Sequence, residues 1–374
     1  MDLALTETQE MLKRLARDFL AQEFPISLLR EMETDEKGYS SDVWRKMAET
    51  GLINTAIPED LGGAGGDLMD LGVILDEMGR GLYIGPFFST IVLGGLTILY
   101  GGSDEQKRGM MPSIAQGQIL LSLALLEETG RSNPASIQLQ AQLKGDHYIL
   151  NGTKLFVEYG NVADYFLCVA RTGSGDTDLT VFLVPGSNPG IQVTPLDTIG
   201  SDKQAEISFD NVAVPAPNVI GEVNQGWPLV QRVLDAATAL LCMQMVGIAE
   251  KVLERTVEYV KMRVQFGRPL GSLQAVQHHV ADMVILSDGA RLAAQEAVSR
   301  LAQGLPARKE VALAKAFCSN ACQEVTLTAH QLHAGVGFMQ EFDLQIYTRQ
   351  MQGMVLRMGT ADEHLEVFAQ EMAL

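Results

Sequence analysis

Positive charge is scarce in this 374-residue sequence: 28 lysines and arginines stand against 46 aspartates and glutamates, a formal charge of −18. A surface that acidic repels a phosphate backbone and argues against a general nucleic-acid-binding role. Cysteine is sparse too. Cys168, Cys242, Cys318 and Cys322 are scattered, and no histidine pair completes a zinc-type set near Cys318 and Cys322. They read as buried thiols, with no metal site expected. No apolar run reaches the ~18 residues that suggest a membrane span. The longest candidate, Tyr83 to Tyr100, is broken by Pro86, Ser89, Thr90 and three glycines. The N-terminal stretch carries acidic residues and lacks the charged-then-apolar layout of a secretion signal, so a cytoplasmic location is expected. Generic catalytic motifs are missing as well. There is no Gly-x-Ser-x-Gly and no His-Glu-x-x-His, and adjacent His278 and His279 face different ways on a helix. The cluster Gly62, Gly63, Gly65, Gly66 has the wrong spacing for a dinucleotide fingerprint and no strand before it, so it reads as a loop.

What is present is a globular composition, 47% hydrophobic and 20% charged. The chain divides by texture into residues 1–120, 121–225 and 226–374. The first part reads as helical. Thr6 to Glu23 repeats its apolar residues every three to four positions, with Thr6 and Gln9 spaced as a capping box. Ser41 to Thr50, Met69 to Met78 and Asp104 to Gln116 follow as further helices. After residue 120 short β-prone runs appear at strand-and-turn spacing, and Asn151-Gly152 predicts a hairpin turn. No helices intervene, so the unit is expected to be antiparallel. From Gly226 the chain turns helical again. Leu229 to Gln265, Gln274 to Gln303, Ala307 to His333 and a last stretch from Leu344 suit an antiparallel bundle. The fold expected is mainly α, with a central β domain between two helical ones.

Several segments carry a resemblance. "GLINTAIPEDLGGAGG", "KGDHYILNGTKLFV", "ISFDNVAVPAPNVIGEVNQGW", "RVQFGRPLGSLQAVQHHVADM" and "QLHAGVGF" fall in order along the chain. Together they resemble the acyl-CoA dehydrogenase family over nearly the whole length. The resemblance implies noncovalent FAD between the β domain and the C-terminal bundle, an acyl-CoA substrate, a four-subunit assembly and an electron-transfer flavoprotein as acceptor. By match, Leu125, Glu127, Ser132, Phe156 and Glu158 fall on the flavin face. Arg263 meets the pyrophosphate and Phe266 the adenine side, with Gln274, Gln331 and Gly335 near the nucleotide and Thr360 near the same cofactor. Arg263 and Phe266 match residues that reach a neighbouring subunit's FAD. The chemistry behind such a site is removal of a weakly acidic α proton, helped by hydrogen bonds to the thioester oxygen, as the β hydride leaves for the flavin.

Three departures from the family pattern bear on activity. "LEETGRSN" (Leu126 to Asn133) loses a proline and two glycines, and Arg131 in place of one of them either blocks the site or supplies a cation to a CoA phosphate. Glu158 replaces a hydroxyl at the flavin face and is either an anion near flavin N5 or a solvent-facing loop carboxylate. The catalytic-base position before Gly359-Thr360 is Met358, and the alternative base position on the long helix is Ala237. Neither accepts a proton. Met358 and Gly359 remain expected substrate contacts, because any residue but proline supplies a backbone N–H to the thioester oxygen. Glu158, Glu363 and Glu366 are the carboxylates left to nominate as base, though Glu363 also reads as a plain helix-surface charge. Met243, Met245 and Ala239 read as pocket lining or core. The expected function is FAD-dependent α,β-dehydrogenation of an acyl-CoA, with this chain as one subunit of a homo- or hetero-oligomer. The alternatives are an inactive scaffold subunit of the same fold and an acyl-CoA oxidase.

Overall fold

The structure, a computed structural model, describes residues 4–373. The first three residues of the N-terminal stretch read above lie outside that range. The chain opens with α1 (Glu7–Glu23), α2 (Ile26–Thr34), α3 (Ser41–Glu49) and α4 (Leu68–Arg80). A π-helical stretch, Phe88–Gly95, runs directly into α5 (Leu96–Gly101), and α6 (Asp104–Ala115) follows. The Thr6–Gln9 capping box forms, with Gln9 N–H donating to Thr6 Oγ1 at 3.2 Å and Thr6 N–H to Gln9 Oε1 at 3.1 Å. The four glycines at 62–66 form a loop before α4, as their spacing implied.

The middle of the chain is a sheet of β1 (Leu121–Ala124), β2 (Gln140–Lys144), β3 (His147–Glu158), β4 (Tyr165–Arg171), β5 (Leu179–Pro185), β6 (Ile191–Leu196), β7 (Gln204–Pro215) and β8 (Val219–Ile220). The order is β6-β7-β3-β2-β4-β5-β8, with β1 beside β4. The pairing is antiparallel except along β4, where β1 and the first residue of β2 both run parallel to it. The expected turn at Asn151-Gly152 is not there. Lys144 pairs with His147, so the β2–β3 hairpin closes over Gly145-Asp146, with Gly145 at φ 66°. β3 passes straight through Asn151-Gly152, where its register with β7 slips between Leu150 and Gly152. A bulge needs the same glycine freedom as a turn, and a Cβ on Gly152, at φ 143°, would press on Leu139.

The chain ends in a bundle: α7 (Gly226–Met262), α8 (Gln274–Ala302), α9 (Arg308–His333), α10 (Leu344–Leu356) and α11 (Ala361–Glu371). α7 begins three residues before the expected start and stops at Met262 rather than Gln265. Val264–Gln265 instead forms β9 of a tight hairpin with β10 (Arg268–Pro269), whose turn holds Phe266 at φ 54° and Gly267 at φ 75°. α7 is long and apolar enough to cross a membrane, but 89% of its most apolar window is buried among the other helices. It is the core helix of the bundle. Met243, Met245 and Ala239 lie in that core, and all four cysteines are buried free thiols. One apolar core spans both helical parts and takes Leu167, Val169 and Val181 from the sheet. The opposite sheet face packs Phe166, Cys168 and Phe182 into a second core. The central strands are thus covered on both faces, and side chains become accessible where the sheet meets α10, α11 and the start of α7.

Candidate functional site

At that junction lies a cleft of about 540 Å³, within the usual size range for a bound cofactor or ligand. Its walls are the Leu123–Leu126 segment, the loop carrying Arg131 and Ser132, the end of β3, the 196–204 segment and the turn from α10 into α11. The backbone presents the key side chains. The β3–β7 register slips a second time between Lys154 and Val157, and Phe156 takes φ 56°. This bulge turns the Phe156 ring, 47% exposed, into the cleft. On the opposite wall α10 ends at Leu356, Arg357 is extended, and Met358 and Gly359 follow at φ 58° and 95°. Thr360 then caps α11.

Of the residues marked in the sequence, Leu125, Arg131, Ser132, Phe156, Glu158, Met358, Gly359, Thr360 and Glu363 line this one cleft. Glu127 does not. It is buried in the sheet, where its carboxylate accepts from Gln138 N–H at 2.7 Å, Leu139 N–H at 3.0 Å and Lys154 Nζ at 2.7 Å. Lys154 is fully buried and also donates to the Leu125 carbonyl at 3.0 Å. Glu127 therefore holds the loop in place. Arg263, Phe266, Gln274, Gln331 and Gly335 gather elsewhere. From Leu234 at the cleft to Met262 the helix is unbroken, and 28 residues at 1.5 Å each span about 42 Å. Stacking of Tyr259 on His333, centroids 4.1 Å apart, ties the end of α9 to the end of α7. All five residues are exposed there, Phe266 by 87%.

Glu158 is not a solvent-facing carboxylate. Its side chain is only 11% exposed and is gripped by Arg357, with Nε at 2.8 Å and Nη2 at 2.6 Å. The guanidinium also lies 4.6 Å from the centroid of the Phe88 ring. Burial pushes the Glu158 carboxyl above its usual range, and Arg357 pulls it back. Sequence reading missed Arg357, since nothing local links positions 199 residues apart. It missed Lys315 too. That buried amine donates to Ser319 Oγ at 3.1 Å and to the Met354 and Val355 carbonyls at 3.0 and 3.2 Å. It thereby caps the end of α10 just before the Arg357–Met358 turn. His364 closes the turn from the far side, its Nε2 2.7 Å from the Met358 carbonyl oxygen. Glu363 is engaged as well, accepting from Thr360 N–H at 2.8 Å in the cap of α11. Ala237 is fully buried.

A second space, of about 700 Å³, adjoins the cleft. The two share Arg131, Ser132, Leu234, Met358, Gly359 and Glu363. Trp227, Asp235, Arg308 and His364 line its remaining walls. The cleft suits a planar aromatic ligand on the Phe156 side. It suits a dianionic phosphate poorly, because Glu158, Asp197, Asp202 and Glu363 outnumber Arg131 and Arg357, and Arg357 is already paired. A flavin ring fits, whereas its pyrophosphate needs a cation from outside the cleft. Met358 N–H donates to no group among the described residues.

Three family models match: Acyl-CoA dehydrogenase, N-terminal domain, over residues 6–118; middle domain, over 122–212; and C-terminal domain, over 224–373. The chain is similar to acryloyl-CoA reductase (NADH) of Anaerotignum propionicum, 31% identical over all of this chain and 96% of that one. Among solved structures it resembles butyryl-CoA dehydrogenase from Megasphaera elsdenii, with a TM-score of 0.93 and 28% identity over 100% of both chains. It also resembles a chain of the ChsE4-ChsE5 complex from Mycobacterium tuberculosis, with a TM-score of 0.92 and 30% identity over 100% and 99%.

Proposed function

The chain belongs to the acyl-CoA dehydrogenase family, FAD-dependent oxidoreductases acting on CH–CH bonds, and from that premise we propose that it is the subunit of a mixed oligomer that lacks a catalytic base. The observation that carries this is the turn at Met358. The backbone that presents the side chain is intact, with its N–H unspent, but the side chain cannot take a proton. Glu158 is neutralised by Arg357, and Glu363 serves as a helix cap. The carboxylates nominated from sequence are thus either engaged or, like Glu366, exposed on α11.

In this reading Phe156 packs on a flavin ring, and the flavin, when bound, accepts the β hydride. Met358 N–H donates to the thioester oxygen, which acidifies the α carbon. The second space takes the CoA arm, with Arg131 the cation on its walls that no described acid engages, since Arg308 is paired with Glu371 at 3.4 Å; the CoA phosphates, like the flavin's, would draw further cations from outside the space. Arg263, Phe266, Gln274, Gln331 and Gly335 lie about 42 Å from the cleft along α7. They serve the nucleotide half of an FAD whose ring sits in another chain. Apolar side chains left exposed on α8 and α9, among them Ile285 at 68%, Leu292 at 56% and Leu313 at 42%, give the bundle a surface on which to assemble. That a two-protein complex is among the similar structures supports a mixed assembly. Electrons would leave for an electron-transfer flavoprotein, and the oligomer would be a tetramer in the cytoplasm.

Co-expression with a second family chain, followed by flavin absorbance per chain after gel filtration, tests the proposal. Fewer flavins than chains, and bleaching by acyl-CoA only in the mixed assembly, are expected. A homogeneous preparation that carries one flavin per chain and bleaches rapidly overturns it. A colourless assembly, inactive with any partner, identifies a scaffold instead. Peroxide formed in air without another acceptor identifies an oxidase.

A further inference from the structure

A small chamber of about 50 Å³ lies behind the cleft, between α4, the segment at Tyr83–Phe88, α7 and α10. Its walls are mostly apolar, including Leu75, Met78, Phe87 and Met354. Two glutamines interrupt them, together with Tyr83, Tyr159, Asp202 and the Glu158–Arg357 pair. Gln244 is 6% exposed and Gln350 2%, and the Oε1 atom of each accepts no hydrogen bond from the protein. Gln350 Nε2 donates to the Leu82 carbonyl at 3.3 Å, which fixes that amide. The chamber and the cleft share Glu158, Gly200, Asp202, Gly353 and Arg357. They therefore meet at the ion pair and Asp202, with two glycines beside them.

An unpaired buried carbonyl is unfavourable against an apolar neighbour. A chamber meant for a plain hydrocarbon end has no use for two of them. A carboxylate end is disfavoured, because Arg357 is already bound to Glu158 and the other charged wall residue, Asp202, is acidic. The volume admits a small group but no ring system. We propose that the chamber receives a hydroxyl on the acyl part of the substrate, donating to Gln244 or Gln350. This rests on the acyl-CoA reading above and narrows its substrate class to hydroxylated acyl-CoAs.

The test is calorimetric titration of the assembled protein with pairs of acyl-CoAs of equal length, one ending in hydroxyl and one in methyl. In the wild type the hydroxyl-ended member binds about 10-fold or more tighter, the factor expected for filling an otherwise unpaired buried acceptor. Gln244→Met or Gln350→Met reduces that ratio. The wild-type ratio stands without either variant, so a variant that fails to fold does not spoil the test. Equal affinities within every pair overturn the inference and leave the acyl-CoA reading standing, with the chamber holding only water. Failure of every acyl-CoA to bind overturns both.

Discussion

Arg357→Met tests the site at its most exacting point. The substitution removes hydrogen bonds of 2.8 and 2.6 Å and leaves Glu158 with a carboxylate 11% exposed and no cation in contact. Breaking a buried pair in this way costs about 3–5 kcal/mol, mostly the desolvation of the orphaned charge. Loss of the guanidinium from the Phe88 face adds to it. Glu158→Gln with Arg357→Met removes both charges, and the double variant is expected to regain most of the loss. The pH dependence carries a sign. Burial already raises the Glu158 pKa in the folded protein, and removing Arg357 raises it further. A carboxyl with a raised folded pKa contributes its stability below the unfolded value of about 4.3 and loses it as pH rises through the folded value. The penalty of Arg357→Met should therefore be largest near neutral pH and fade towards about pH 4. Urea midpoints for the four members of the cycle, taken at several pH values, measure this. A cost under about 1 kcal/mol at pH 7, or one independent of pH, would refute the claim that the pair is buried and ionised.

Other outcomes follow from the same geometry. Burial lowers the Lys315 pKa to about 8. Between there and the unfolded value the unfolded chain binds more protons, so this group's contribution rises with pH, by up to about 3 kcal/mol. Lys315→Met should flatten that slope in urea titrations from pH 8 upwards, and an unchanged slope counts against it. Ala334 sits at φ 51° and ψ −142°, a conformation that only glycine adopts freely. Ala334→Gly should raise stability by about 1 kcal/mol once the entropy of glycine is deducted, and a lower Tm would show that no strain is held there. Met358→Glu should speed anaerobic flavin bleaching by acyl-CoA in any assembly where this chain holds a flavin, by up to the roughly 10²–10⁴-fold worth of a general base. Stopped-flow absorbance reads it, and no change means the turn does not face the reacting carbons.

What the sequence disclosed was what local pattern encodes. Periodicity and caps placed α1, α3, α4 and the bundle helices within a few residues. The β-rich centre followed from its turn spacing. Failures came where one residue preference serves two structures. Asn151-Gly152 carries the left-handed tendency of a hairpin turn, but the chain spends it on a bulge, because Gly145-Asp146 already closes the hairpin. The pattern carries α7 past its end because no glycine or proline breaks Arg263, Val264 or Gln265, whereas the chain turns extended at Arg263 into the hairpin closed by Phe266-Gly267. The site was legible by position and not by partner. The positions expected at a flavin face, apart from Glu127, line one cleft, but Glu127–Lys154, Glu158–Arg357 and the Lys315 clamp on α10 are long-range pairings with no local signature.

Those pairings bear on how the departures should be understood. Taken singly, an anion at position 158 damages a redox site, since a buried negative charge opposes charge building on a neighbouring flavin. Set against Arg357 it does no such damage: the pair is neutral, doubly hydrogen-bonded and stacked on Phe88. Arg357 compensates the charge of Glu158, and it sits immediately before Met358, the position matched to the family's base. A site merely decaying would be expected to lose order around such a change, with unpaired charges and a slack turn. Here the turn is clamped by Lys315 on one side and His364 on the other, and Met358 N–H is left free to donate. In the proposed reading the arrangement keeps a place to hold and polarise a thioester without a group to take its proton, and a second chain would complete the reaction.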